Sequence, residues 1–303
     1  MKKYMDYLGN FELPGNAYMG PIDDWLAPEK TDSNLVWNAF YGRLCGLMNK
    51  FADVLENTAD CKAFSEKFSE AKNYFNKTFF DGDKGVTLNM DGSVNDTMGG
   101  YAIALAYEML ADENIEKAQK RLAEKAKQSG YKITTGFFGT GLVDPMLSEG
   151  RFSADAYKMI TQTEFPSWLY PVTQGATTIW ERWGSYTKEK GFGGMNAMNS
   201  FNHYSLGSVL SWLYEYVLGI RRVDKIGWKK FIIKPDFTGF SEISGGFETP
   251  FGRIESGYKF ADGKIKFFCD IPINTEAEII LPNKTEKVGS GKYFFEFELE
   301  KLS

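Results

Sequence analysis

Cysteine is scarce in this chain. Cys45, Cys61 and Cys269 are odd in number and show no CxxC pairing, so neither a disulfide framework nor a zinc site is indicated. A reducing, cytoplasmic setting is the expectation, with no cofactor and no metal. Histidine is scarcer still, His203 being the single copy in 303 residues. Long apolar runs are missing too. The opening MKKYMDYLGNFELPG has the two lysines of a signal-peptide start with no apolar run behind them, and nothing later reaches the length of a membrane span. A basic stripe is also absent: the formal net charge is -5 with the two signs interspersed, so neither nucleic acid nor membrane is an expected partner.

Aromatic residues, by contrast, make up 16% of the chain, and several sit in Gly-rich stretches rather than at regular core spacing. That distribution favours a ligand site lined by rings. The segment GATTIWERWG sets Glu181 and Arg182 between Trp180 and Trp183, directly after FPSWLYPVTQ. As an amphipathic helix it would place both indoles on one core stripe. As a sugar site it would stack rings on pyranose faces while Glu181 does proton chemistry between them.

With 43% hydrophobic residues the chain can bury a full core, as one large domain or two. From residue 33 to 220 the apolar period is helical. SNLVWNAFYGRLCGLMNKFADVL, with Ser33 as a cap candidate, pairs with ADCKAFSEKFSEAKNYFNKTFF. TMGGYAIALAYEML, with Asp96 as a candidate N-cap, pairs with NIEKAQKRLAEKAKQSG. Shorter helices follow in GLVDPMLSEG and SADAYKMITQT, and NSFNHYSLGSVLSWLYEYVLGI reads as a last strong one. Paired helices with alternating short and long loops suggest an α/α toroid whose long loops carry the site. Beyond 225 the period becomes two, in KKFIIKP, KIKFFCDI, EAEIILP and KYFFEFEL, as in strands. The expected organisation is an N-terminal loop region over 1–30, a helical domain over 31–224 and an antiparallel β-sandwich over 225–303.

In order, the runs ITTGFFGT, FPSWLYPVTQGATTIWERW, SFNHYSLGSVLSWLYEYVLGI, GWKKFIIKP and ETPFGRIESGY resemble the catalytic barrel and C-terminal β-sandwich of the α-L-rhamnosidases of glycoside hydrolase family 78. IDDWLAP is similar to the family's GDWLAP loop. The resemblance implies an (α/α)6 barrel, an inverting mechanism and a terminal α-L-rhamnoside, in an oligosaccharide or glycoside, as substrate. It implies that Glu181 is the general base and that His203 hydrogen-bonds a rhamnose hydroxyl. Trp25 and Trp168 are then candidates for the wall that packs on the sugar's C6 methyl, Trp183 is a further ring of the site, and Asp24 either orients the pocket or caps its loop. Arg182 could keep Glu181 ionised, though adjacency in sequence does not prove contact. Trp212, in the apolar stripe of its helix, reads as core.

One departure matters. The family's general acid lies in a DGDRRE-type block upstream of the GDWLAP loop, and this chain starts too late to contain it. DGDKG at 81–85 shares three letters, follows a helix and lacks the Glu, so it reads as a turn. Inverting hydrolysis needs a second carboxylic acid roughly 6.5–9.5 Å from the base. The helix count also falls short of six hairpins, so the helical domain is expected to be incomplete. The chain therefore resembles the C-terminal part of a rhamnosidase that works with an N-terminal portion. The alternatives are a non-catalytic or vestigial carbohydrate-binding protein, or an unrelated α/α-toroid lyase or hydrolase whose nearest acids are Asp23, Asp24 and Glu29.

Overall fold

In the computed structural model the described residues are 1–9, 22–192, 198–223 and 227–298. The chain divides into two compact units, Met1–Ser208 and Val209–Ser303.

Three helical hairpins dominate the first unit. Helices α2 (Ser33–Val54) and α3 (Thr58–Phe79) pack together, and between them they bury Leu35, Ala39, Cys45, Met48, Phe64, Ala71 and Phe75. Asp32, rather than Ser33, caps α2: its carboxylate accepts the N–H groups of Asn34 and Leu35 at 2.7 and 3.1 Å. The carboxylate reaches two of the orphan donors of the first turn, which leaves Ser33 inside the helix. In the next hairpin Thr97, not Asp96, caps α4 (Met98–Ala106), accepting the Gly100 N–H at 3.0 Å. Asp96 is instead held by Arg121, at 3.2 Å. Residues Met98 to Ala104 of α4 are buried all round, whereas its partner α5 (Asp112–Gln128) buries only one face, with acids in its first turn and lysines in its last that suit the helix dipole. The third hairpin is α6 (Thr140–Glu149) with α7 (Ser153–Ile160), and a short helix α8 (Leu169–Thr173) and the two-stranded pair β3 (Tyr186–Thr187) and β4 (Gly191–Phe192) follow it. Between the first two, strands β1 (Phe80–Asp81) and β2 (Val86–Thr87) close the DGDKG segment as a hairpin turn, with Asp81 accepting the N–H groups of Asp83 and Lys84.

Two stretches depart from the sequence reading. Lys2–Gly9, part of the expected N-terminal loop, forms helix α1, while Pro14, Gly15 and Pro21 lie outside the described residues. The expected last helix is cut into α9 (Tyr204–Gly207), α10 (Val209–Trp212) and a π-helical turn (Leu213–Val217). Serine competes with the helix at the first break, since the Ser208 hydroxyl donates to the Ser205 carbonyl at 2.6 Å. Gly219 ends the run at φ +74°, where a Cβ would lie 2.1 Å from the Lys234 carbonyl carbon. Only glycine fits there, and β5 (Ile220–Arg222) begins at the next residue, ahead of the expected start of the β module.

That module is a sandwich of two four-stranded sheets. One has the order β11 (Lys284–Val288), β10 (Glu276–Leu281), β6 (Lys230–Ile233), β5. The other has the order β12 (Gly291–Glu298), β9 (Lys264–Ile271), β8 (Gly252–Ala261), β7 (Glu242–Thr249). Every pairing is antiparallel except β6 with β10, which runs parallel. Alternate residues point inward: Ile265, Phe267, Cys269 and Ile271 of β9 join Phe231, Ile233 and Ile279 of the facing sheet in one buried core. Trp212 is fully buried, as read.

Candidate active site

Two loop pairings build a cavity in the first unit. The first joins residues 24–29 to residues 134–139. Glu29 donates its N–H to the Thr134 carbonyl at 3.1 Å, and Phe137 donates to the Trp25 carbonyl at 2.9 Å. Asp24 closes the pairing: Oδ2 accepts the Gly136 N–H at 2.7 Å, and Oδ1 accepts those of Phe138 and Gly139 at 2.8 and 3.0 Å. Its side chain is fully buried. Burial raises the carboxyl pKa above its ordinary value, and the three N–H donors oppose that rise. The packing leaves no room for a side chain at 136, where a Cβ would lie 2.2 Å from the Asp24 carbonyl oxygen and 2.3 Å from that of Trp25.

The second pairing joins residues 178–181 to 200–203, and it answers the question raised by WERW. The segment is not helical. Glu181 donates its N–H to the Ser200 carbonyl at 2.8 Å, and His203 donates to the Ile179 carbonyl at 2.9 Å. Along this irregular run neighbouring side chains diverge. Trp180 turns into an aromatic cluster, edge-on to Phe201 at 5.6 Å and to Tyr186 at 6.3 Å. Glu181 and Trp183 turn to the cavity.

The cavity measures about 390 Å³, within the range that accepts a small ligand. Leu26, Phe137, Phe165, Trp183 and Leu206 supply its apolar wall, and Glu181 and Arg182 its charges. Glu181 is the only carboxylate among the described lining residues. Its Oε2 accepts the Ser200 N–H at 2.7 Å. No ion pair joins it to Arg182 among the described residues: the Arg182 Nη2 donates to the Met198 carbonyl at 3.1 Å, and its Nε is buried without a hydrogen-bond partner.

The remaining sequence candidates stand behind this wall. His203 packs its ring on Phe137 at 4.7 Å, and its Nδ1 accepts the Ser205 N–H at 3.2 Å as the cap of α9. That bond assigns the proton of the neutral ring to Nε2, the form that donates to a hydroxyl. Trp168 is buried, donates its indole N–H to the Leu206 carbonyl at 2.8 Å, and meets Trp183 edge-on at 5.5 Å. It backs Trp183 and lines a separate hollow of about 40 Å³ with Trp180. Trp25 contributes its carbonyl to the loop, and its neighbour Leu26, at φ +62°, supplies the wall. Asp24 holds the loop and has both oxygens occupied. Of the acids in the third reading, Glu29 is taken by Lys125 at 2.7 Å and by the Thr134 hydroxyl at 3.0 Å, and Asp23 lies 4.0 Å from Lys30. Phe137, Leu26 and Phe165 were not singled out by sequence reasoning; ITTGFFGT was the signal for the first of them.

Helical hairpins followed by a β-sandwich, with one carboxylate among the described lining residues of a ring-lined cavity at the loops, are the architecture of part of a six-hairpin glycosidase. Residues 1–217 match the bacterial α-L-rhamnosidase six-hairpin glycosidase domain and residues 219–294 the bacterial α-L-rhamnosidase C-terminal domain, and the chain belongs to that family. It is 33% identical over 294 residues to an α-L-rhamnosidase of Formosa agariphila, covering 93% of this chain and 31% of that one. An α-L-rhamnosidase of an Alteromonas species is 32% identical over 296 residues, with the same coverage. The crystal structure of Streptomyces avermitilis α-L-rhamnosidase complexed with L-rhamnose superimposes with a TM-score of 0.87 at 26% identity, over 98% of this chain and 30% of that one. Native Aspergillus terreus α-L-rhamnosidase gives 0.83 at 31% identity, over 92% of this chain and 33% of that one. The chain thus spans about a third of the length of the relatives it matches.

Proposed function

We propose that the chain supplies the base side of an inverting α-L-rhamnosidase site acting on terminal α-L-rhamnosides. The observation that carries this reading is the position of Glu181, the one carboxylate among the described lining residues, fixed by Ser200 and flanked by Trp183. In this role Glu181 takes a proton from a water whose oxygen attacks the anomeric carbon opposite the leaving group. The glycosidic C–O bond breaks, and the departing oxygen takes its proton from a second carboxylic acid. No described lining residue can donate that proton, so the acid is assigned to an N-terminal rhamnosidase portion. The apolar wall suits the C6 methyl of rhamnose, and the His203 Nε2–H suits a hydroxyl.

Proton NMR of the first-formed anomer tests the reading, using nitrophenyl α-L-rhamnoside and the chain joined to an N-terminal rhamnosidase portion. Release of the inverted β-anomer, lost in Glu181→Gln, is the expected result. An α-anomer would overturn the inverting assignment. Rhamnose binding with no turnover in the joined protein would favour the second reading, a carbohydrate-binding protein, for which the single carboxylate also speaks.

A further inference from the structure

The β-sandwich carries a ring-bearing surface of its own. On the outer face of the β9–β12 pair, Phe268 stands directly opposite Phe294, with Lys266 opposite Glu296 on one side and Asp270 opposite Lys292 on the other. Phe294 is 76% exposed, whereas the inward residues of the same strands form the core. Phe268 leans over the next strand: a Cβ on Gly257 would lie 2.7 Å from its Cε1, so the absent side chain at 257 makes room for the ring. Here the face opens into a hollow of about 300 Å³ lined by Lys266, Phe267, Phe268, Phe294, Phe295 and Glu296.

Every charge bordering the rings among the described residues is already paired. Glu296 meets Lys264 at 3.0 Å, Asp270 meets Lys292 at 3.6 Å, and Lys266 meets Asp262 at 3.7 Å. No net charge is left to attract an ionic ligand. Two rings also offer far less apolar area than the roughly 800 Å² per partner of a stable protein interface. A neutral ligand fits best, with one flat C–H face for the rings and hydroxyls along its edge for the Lys266 and Glu296 heads. We propose that the outer face of β9–β12 is a second carbohydrate site, a platform on which a neutral pyranose of an oligosaccharide stacks against Phe294 and Phe268. The site shares no residue with the Glu181 cavity and does not depend on the rhamnosidase reading. It would hold a sugar chain without cleaving it.

Calorimetric titration of the whole chain with methyl α-L-rhamnopyranoside and with cellotetraose tests this, in the unaltered protein and in Phe294→Ala, Phe294→Trp and Glu181→Gln. Phe294→Ala is expected to weaken binding of at least one sugar about tenfold with an unchanged melting temperature, because the ring is mostly in solvent. Phe294→Trp, with its larger face, should restore or tighten it, and Glu181→Gln should leave this component intact. Equal affinities in the Ala, Trp and unaltered proteins would overturn the platform. So would a dimer that dissociates in Phe294→Ala with sugar affinity unmoved, since that assigns the face to a protein contact. Loss of binding in Glu181→Gln alone would support the cavity and overturn the platform; loss in Phe294→Ala alone would do the reverse.

Discussion

Glu181 and Ser200 hold each other at two points: the Glu181 N–H donates to the Ser200 carbonyl at 2.8 Å, and the Ser200 N–H returns to Glu181 Oε2 at 2.7 Å. The backbone bond fixes the loop, and the side-chain bond aims the carboxylate. Glu181→Gln keeps an amide oxygen to accept from Ser200 while removing the charge and the proton acceptor. In the chain joined to an N-terminal rhamnosidase portion, kcat should fall by about 10²–10⁴, with the melting temperature unchanged. Circular dichroism melts beside steady-state kinetics check both halves; a kcat within twofold of the parent would remove Glu181 from the role of base.

Asp24 should matter for the loop before it matters for a sugar. Asp24→Ala orphans three backbone N–H groups in a buried place, each costing about 1–3 kcal/mol, so denaturant titration should show a loss of several kcal/mol. Gly136→Ala should be similarly damaging, because its Cβ would meet two backbone carbonyls that cannot move without breaking the same pairing. A variant at either position that folds with parental stability would contradict this geometry.

How much of this was legible in the chain follows from the range of the contacts. The helical hairpins and the strands of the sandwich were visible because apolar period is a local property. The partners of Asp24 lie 112 to 115 residues away, and no pattern within IDDWLAP could announce them. Glu181 could be found through its motif, whereas the divergence of Trp180 from Trp183 depends on the 200–203 segment lying alongside. The broken last helix was hidden for the opposite reason: its apolar spacing persists, and the hydroxyl of Ser208 and the turn at Gly219 override it.

His203 has an observed job as the cap of α9 and a proposed one at the sugar, and one substitution can separate them. Asparagine is itself a good helix cap, so His203→Asn should keep the bond to the Ser205 N–H while removing the ring from Phe137 and the Nε2–H from the sugar. Rhamnose affinity should drop about tenfold or more with little change in melting temperature. His203→Ala should lose the cap as well, at about 1 kcal/mol. Equal affinities in the His and Asn proteins would confine His203 to its capping role.

Asp144 is fully buried in α6 with neither oxygen hydrogen-bonded among the described residues, and burial pushes its pKa well above the ordinary carboxylate value. The sign of the consequence is fixed by linkage. Above about pH 4 the unfolded chain ionises at this position while the folded chain keeps the proton, so stability falls as pH rises toward the folded pKa. Relative to Asp144→Asn, which does not titrate, the parent should lose up to about 1.4 kcal/mol per pH unit across that window. Urea titrations of both proteins at pH 4.5 and pH 7 measure this; a pH-independent difference would show that Asp144 is ionised in the fold.

The leaving group offers the sharpest test of the divided site. General acid catalysis supplies about 10²–10⁴ in rate, and it matters most when the departing oxygen is a poor leaving group. With Glu181 as the only carboxylate among the described lining residues, the 303-residue chain alone should release little or no rhamnose from a natural glycoside. Nitrophenyl α-L-rhamnoside, whose phenolate leaves with little protonation, should retain whatever activity exists, and Glu181→Gln should abolish it. Addition of an N-terminal rhamnosidase portion carrying the acid should restore turnover of the natural substrate far more than of the aryl one. The measurement is the ratio of the two rates before and after addition. A ratio that stays constant would place the proton donor within these residues and undo the division of labour between base and acid.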